Sequence, residues 1–142
     1  MAEVQAATTE PVNVFPVDGA YLVRHYFEGD AVFDRLKPFY DNRAYRFEIP
    51  RGEFTAIREF LYDHGYSLTV VEDLERYLVV VEKYTAHPDD VFKTSVAQFA
   101  SESYNCFLLK DREAVRDAVG DGAHRFPETT LEFQQRTLRA YA

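Results

Sequence analysis

The chain has 142 residues, of which 46% are hydrophobic and 28% charged, with 24 acidic against 16 basic side chains and a formal net charge of -8. That length supports one domain with a real core, burying roughly 68–70% of the surface the unfolded chain exposes, and the composition is that of an ordinary globule. The longest apolar run, Leu78-Val79-Val80-Val81, is strand-sized, far short of the roughly 20 residues that span a bilayer, so no membrane segment is expected.

Residues 1–18 carry Thr8, Thr9, Pro11 and Pro16 without sustained periodicity and read as a flexible lead-in. Its first residues, MAEVQAATTEPV, have neither the basic nor the apolar region of a secretory signal. Tyr21 to Phe27 is rich in β-branched and aromatic residues and reads as a strand. Asp30 is a good N-cap for a short helix through Val32, Phe33 and Leu36, which Pro38 stops.

From Tyr45 the order becomes strand, helix, strand, strand, helix, strand. Tyr45 to Ile49 alternates apolar and polar. Phe54, Ile57 and Leu61 recur at helical spacing, and Gly65 stands where a left-handed C-cap belongs. Ser67 to Val71 is the next strand, and Glu72 to Glu75 reads as a polar, hairpin-like connection. Arg76 to Glu82 is apolar on both faces, as in a strand covered on both sides. His87-Pro88-Asp89-Asp90 opens a helix with Phe92, Val96 and Phe99 inward. Tyr104 to Leu109 is the last strand of this unit. The βαββαβ order over residues 45–109 resembles the ferredoxin-like superfold, so the expected fold is an α+β, ferredoxin-like sandwich with an extra N-terminal strand and additional C-terminal helices. Asp111 caps one of those helices, which ends at Gly120 and Gly122. Thr129-x-x-Glu132 is a capping box that predicts another from about 129. The expected organisation is a lead-in over 1–18, one domain over 19–122 and a tail over 123–142.

The sequence offers little chemistry. His25, His64, His87 and His124 share no metal-ligand spacing with one another or with a carboxylate cluster. The glycines are isolated and form no phosphate loop, and the serines form no nucleophile elbow. The single Cys106 lies in an apolar strand, where a small buried hydrophobe explains it better than a nucleophile does. No catalytic residue, metal or cofactor is therefore expected, and with one cysteine and no signal the protein is expected in the cytoplasm.

The candidate binding residues are Arg24, His25, Arg43, Arg46, Glu48 and Arg51, set in and around the aromatic-rich first third. If Tyr45, Phe47 and Ile49 face the helices, Arg46 and Glu48 face away. On neighbouring strands that away face carries Leu78 and Val80, or Phe107 and Leu109. Such a mixed face needs cover, from the strand at 21–27, from the terminal helix or from a second protomer. The first expectation is thus a small non-enzymatic binding or regulatory module that self-associates or takes a protein partner. The alternative is association with RNA or DNA, since arginine stacks on bases as well as pairing with phosphate. A third, an enzyme with a site scattered through the chain, has no residue to point to. The expected third strand lacks the glycine and second aromatic of an RNA-recognition motif.

Only four lysines occur, Lys37, Lys83, Lys93 and Lys110, against twelve arginines. Acid-rich, lysine-poor composition resembles that of proteins from extremely halophilic archaea. A -8 surface keeps molecules apart, and at 1 M salt, where the Debye length is about 3 Å, its self-repulsion is cheap. In ordinary buffer it disfavours nucleic acid; in molar salt that objection is largely screened. The expected consequence is a melting temperature that falls as salt is withdrawn below a few tenths molar, where the Debye length grows toward about 10 Å. Thermal melts across a salt series measure it, and a salt-independent melting temperature would contradict the halophile assignment.

Overall fold

The computed structural model describes residues 9–100 and 103–129, which form a mixed α+β fold with two sheets and four helices. The first sheet has the order β3-β4-β2-β1-β5, built from β1 (Glu10–Val17), β2 (Ala20–Val23), β3 (Tyr40–Asp41), β4 (Arg46–Pro50) and β5 (Tyr66–Val70). The second has the order β7-β8-β6-β9, from β6 (Leu78–Glu82), β7 (Ser95–Ala100), β8 (Tyr104–Leu109) and β9 (His124–Arg125). Between them run α1 (Asp30–Leu36), α2 (Phe54–Asp63), α3 (Asp89–Thr94) and α4 (Arg112–Gly120).

Side-chain alternation sorts these elements into four layers. Successive strand residues point to opposite faces. Thus Val12, Val14, Val23, Phe47 and Ile49 join Val32 and Leu36 of α1 and Phe54, Ile57 and Leu61 of α2 in one core. The opposite face of the same sheet sends Phe15, Val17 and Leu22 against Leu78, Val80, Cys106 and Leu108 of the second sheet. The remaining face of that sheet packs Val79, Val81, Phe107 and Leu109 against Val91 of α3 and Val115 and Ala118 of α4. The order is helices, sheet, sheet, helices. Burial at the sheet–sheet contact pushes the Cys106 thiol up to about 12, so it stays protonated and unreactive at neutral pH.

Several expectations change here. The four strands expected to share one ferredoxin-like sheet are divided, β4 and β5 in one sheet and β6 and β8 in the other. The residues between β5 and β6 form a 3-10 turn, Leu74–Tyr77, that carries the chain from sheet to sheet, in place of a hairpin connection. The lead-in expected over 1–18 contains β1, which pairs with β2 and with β5. Pro11 and Pro16 sit one residue in from either end of that strand, where the missing N–H disturbs the ladder least. The hairpin from β1 to β2 turns through Asp18 and Gly19, both at positive φ, the Asp-Gly signature of a tight two-residue turn. Strand β2 ends at Val23, so Arg24 to Phe27 leave the sheet. Tyr45 is no strand residue but a turn residue at φ 57. The helix expected through Phe99 stops at Thr94 and gives way to β7, with a register shift between Ser95 and Ala97. Its expected inward residue Phe92 is 55% exposed, while Val91 is buried. The face expected to need cover is covered by the five-stranded sheet of the same chain. Past residue 122, β9 pairs with β6 and Phe126 is buried; the helix expected from about 129 lies outside the described residues.

Val79 has no exposed surface and sits opposite Phe107 on one side and Arg125 on the other. An aspartate there faces the α3–α4 layer with no partner. Val79→Asp is expected to cost several kcal/mol, against a typical whole-domain stability of roughly 5–15 kcal/mol. Exposed Glu75→Ala should cost no more than about 0.5 kcal/mol. Urea melts of both variants in matched salt check this, and equal midpoints would contradict the placement of β6 between two covered faces.

Candidate functional site

Two clefts adjoin where the end of β2, the turn into β4 and the junction of α3 with β7 meet. Arg24 and Tyr45 belong to both. Their walls are set by two arginines, one just past β2 and one on β4, that reach across to the α3–β7 junction. Arg24, just past β2, donates from one Nη to the carbonyls of Ser95 at 2.7 Å and Phe92 at 3.1 Å. These carbonyls lie at the end of α3, where helical acceptors run out of partners and a cation is favoured. Arg46 of β4 donates to Val96 O at 2.7 Å and, through Nε and its other Nη, to Glu48 Oε2 at 3.0 and 2.9 Å. Its side chain is 1% exposed and that of Glu48 37%. β7 is an edge strand, so its outer carbonyls are open to such donors.

The larger cleft holds about 490 Å³. Its charged lining is Arg24, Lys93 and Lys110, with His25 beside them and no carboxylate. Its apolar lining is mostly aromatic: Phe27 and Phe47 are buried, whereas Tyr26, Phe33, Tyr40 and Tyr45 are exposed. The adjoining cleft, of about 420 Å³, adds Arg43, Asp41, Phe92 and Gln98. Of the seven large hydrophobic side chains that are exposed among the described residues, five (Tyr26, Phe33, Tyr40, Tyr45 and Phe92) line these two clefts. Rings scattered singly over a surface need no explanation, but a contiguous group does.

The electrostatics follow from burial and local hydrogen bonds. Burial pulls Arg24 below its ordinary value, and Tyr40 and Tyr45 oppose that shift. The Arg24 guanidinium lies 5.8 Å from the Tyr45 ring centroid, a cation–π approach. Burial likewise holds His25 below its ordinary value; Glu10 opposes it and Lys110 reinforces it. His25 Nε2 is 2.9 Å from Glu10 Oε2 but lacks hydrogen-bond alignment, so His25 is favoured neutral. Asp41 is held below the usual carboxylate range chiefly by the Arg43 N–H, with the Ala44 N–H contributing. Those two donors, at 2.9 and 3.3 Å, close the Asx turn that shapes the loop into β4.

Of the residues singled out from the sequence, Arg24, His25, Arg43 and Arg46 line these clefts. Glu48 serves as the partner of Arg46. Arg51 stands apart, in a small depression with Asp18 and Tyr21. Tyr26 and Phe33 belong to the aromatic-rich first third already noted in the sequence, Phe92 was expected inward, and Lys93, Lys110 and Gln98 are not among the candidates the sequence singles out. Two of the chain's four lysines reach one cleft, and lysine scarcity was the available signal. No protein-family model matches the chain, and neither a curated protein nor a solved structure matches it significantly.

Removing Arg46 leaves Val96 O without its side-chain donor and the Glu48 carboxylate unpaired at the edge of a void. Arg46→Ala is expected to cost about 2–4 kcal/mol. Glu48→Gln, which keeps an acceptor at a half-exposed position, should cost about 1 kcal/mol or less. Chemical denaturation in high salt gives both values; an Arg46→Ala loss below about 0.5 kcal/mol would contradict a structural role for this clamp.

Proposed function

We propose that this chain is a small non-enzymatic binding module of halophile type whose ligand is an anion with an apolar or aromatic body. One observation carries the reading: a chain of net charge -8 gathers Arg24, Lys93 and Lys110 around exposed rings in a cleft without a lining carboxylate. Cations and rings of this kind fix and orient a ligand. The volume falls within the roughly 300–1,000 Å³ usual for small-molecule sites. The halophile part rests on the excess of carboxylates and the scarcity of lysine.

An anilinonaphthalene sulfonate dye supplies the anion and the rings needed for a test. In molar potassium chloride the dye is expected to bind with enhanced fluorescence, and Lys93→Glu combined with Lys110→Glu should weaken it at least about tenfold, as loss of two charge-assisted contacts implies. Both lysines stand outside the hydrophobic cores, so the melting temperature should hold. Undiminished dye binding by a folded double variant would contradict the assignment of the cleft.

A further inference from the structure

The clefts select more narrowly than for anions in general, and we infer that they take a nucleoside phosphate, with the base among the exposed rings and the phosphate on Lys93, Lys110 and Arg24. The inference rests on the reading of the clefts as an anion site. Three features narrow the class. Among the described residues the exposed large apolar groups are all rings, with no exposed large aliphatic side chain; Leu36, the one large aliphatic residue lining the larger cleft, is 1% exposed. Exposed rings offer π-faces, which suit a planar heterocycle better than an alkyl chain. Three cations from different segments share one cleft, more than a single carboxylate requires and suited to a phosphate. The second cleft, sharing Arg24 and Tyr45, adds the amide of Gln98, the carboxylate of Asp41 and the cation of Arg43. Those groups match base edges, sugar hydroxyls or a neighbouring phosphate.

Tyr45 supports the assignment from the backbone side. It is 60% exposed at φ 57, a left-handed conformation that a bulky residue adopts at a cost and glycine does not. Tyr26, 84% exposed just beyond the end of β2, has no ring partner among the described residues. Both rings stand ready at a site where nothing in the hydrophobic cores uses them. Molar salt does not abolish such a mode. Counterion release fades there, whereas stacking persists.

A free nucleotide and a single-stranded nucleic acid present the same chemistry, so both belong in the test. The full chain in molar potassium chloride is titrated with AMP, UMP, adenosine, inorganic phosphate, octyl phosphate, and single-stranded and double-stranded octanucleotides. AMP or UMP is expected to bind at least about tenfold more tightly than adenosine, phosphate or octyl phosphate, since each control lacks one half of the recognition. Tyr45→Gly is expected to weaken the nucleotide about fivefold or more, the low end for losing one stacking ring. Its melting temperature should be unchanged or raised, because the left-handed strain is relieved. Tyr26→Ala, at a highly exposed position, supplies the same test without touching a strained backbone. A single-stranded octamer that binds more tightly than the mononucleotide, with a log–log salt slope no steeper than about -3, identifies a strand as the source; the slope follows from Arg24, Arg43, Lys93 and Lys110, the cleft cations other than buried Arg46, at about -0.7 each. Equal affinity identifies the free nucleotide. Octyl phosphate matching AMP, or both ring variants binding like the parent, would overturn the inference. Dye binding without nucleotide binding would overturn it and leave the anion site standing, while absence of both would remove the site itself.

Discussion

Arg46 brings a charge into the contact between the two sheets, which Asn13 of β1 also ties by donating to the Lys110 carbonyl at 3.0 Å. Arg46 is the only charged residue among the described residues with almost no exposed surface. Hydrophobic contact between Phe15, Leu22, Leu78 and Leu108 drives the sheets together but does not say how far one slides over the other. A guanidinium is directional. One Nη donates to Val96 O of β7, and Nε and the other Nη each donate to Glu48. Burying that charge carries a desolvation penalty of several kcal/mol, offset here by three hydrogen bonds and by a carboxylate that keeps one foot in solvent. Arg24 repeats the reach a few residues away, to Phe92 and Ser95. The clefts lie beside these two crossings because arginines on one sheet must find acceptors on the other at an edge that is still open.

That dependence explains what could be read from the chain and what could not. Local periodicity identified β4, α2, β5, β6, β8 and α4 within a residue or two. The cap at Asp111, whose carboxylate accepts from the Ala114 N–H at 2.7 Å, and the left-handed Gly65 were equally legible, because their causes are local. The partition into sheets was not. Leu78 to Val81 is buried on both faces, and the same run of apolar residues results whether helices lie on both sides or a sheet lies on one. β1 was hidden by its prolines, which are placed at the strand's two ends. β7 was hidden by the register shift at Ser95, which breaks strict alternation and leaves Val96 and Phe99 at a spacing that imitates a helix.

The site was legible by half, for a related reason. Arg24, His25, Arg43 and Arg46 are near one another in sequence and in space, so an aromatic-rich, arginine-rich stretch pointed to them. Lys93 of α3 and Lys110, just past β8, lie about 70 and 85 residues along from Arg24, and no window of sequence joins them to it. Tyr45 reads as the first apolar residue of a strand; only its positive φ turns it out of the sheet and into the cleft. Arg51 shows the converse: it is close in sequence to Arg46, yet the 3-10 turn at Arg51–Glu53 carries it to Gly19, at the other end of β4.

The acidic composition and the cationic cleft respond differently to salt. A net charge of -8 repels polyanions from most of the molecule in dilute salt, and Lys93, Lys110 and Arg24 form an exception of limited extent. As salt rises and the Debye length shrinks to a few ångströms, the general repulsion disappears first, because it acts at a distance. Contacts made at hydrogen-bond range, and rings stacked face to face, keep most of their strength. In molar salt, discrimination between ligands cannot come from long-range steering. It has to come from short-range fit, and short-range fit requires walls that do not move. The crossings of Arg24 and Arg46 hold the elements between which the two clefts lie, so interactions that tie the sheets also shape the cleft walls.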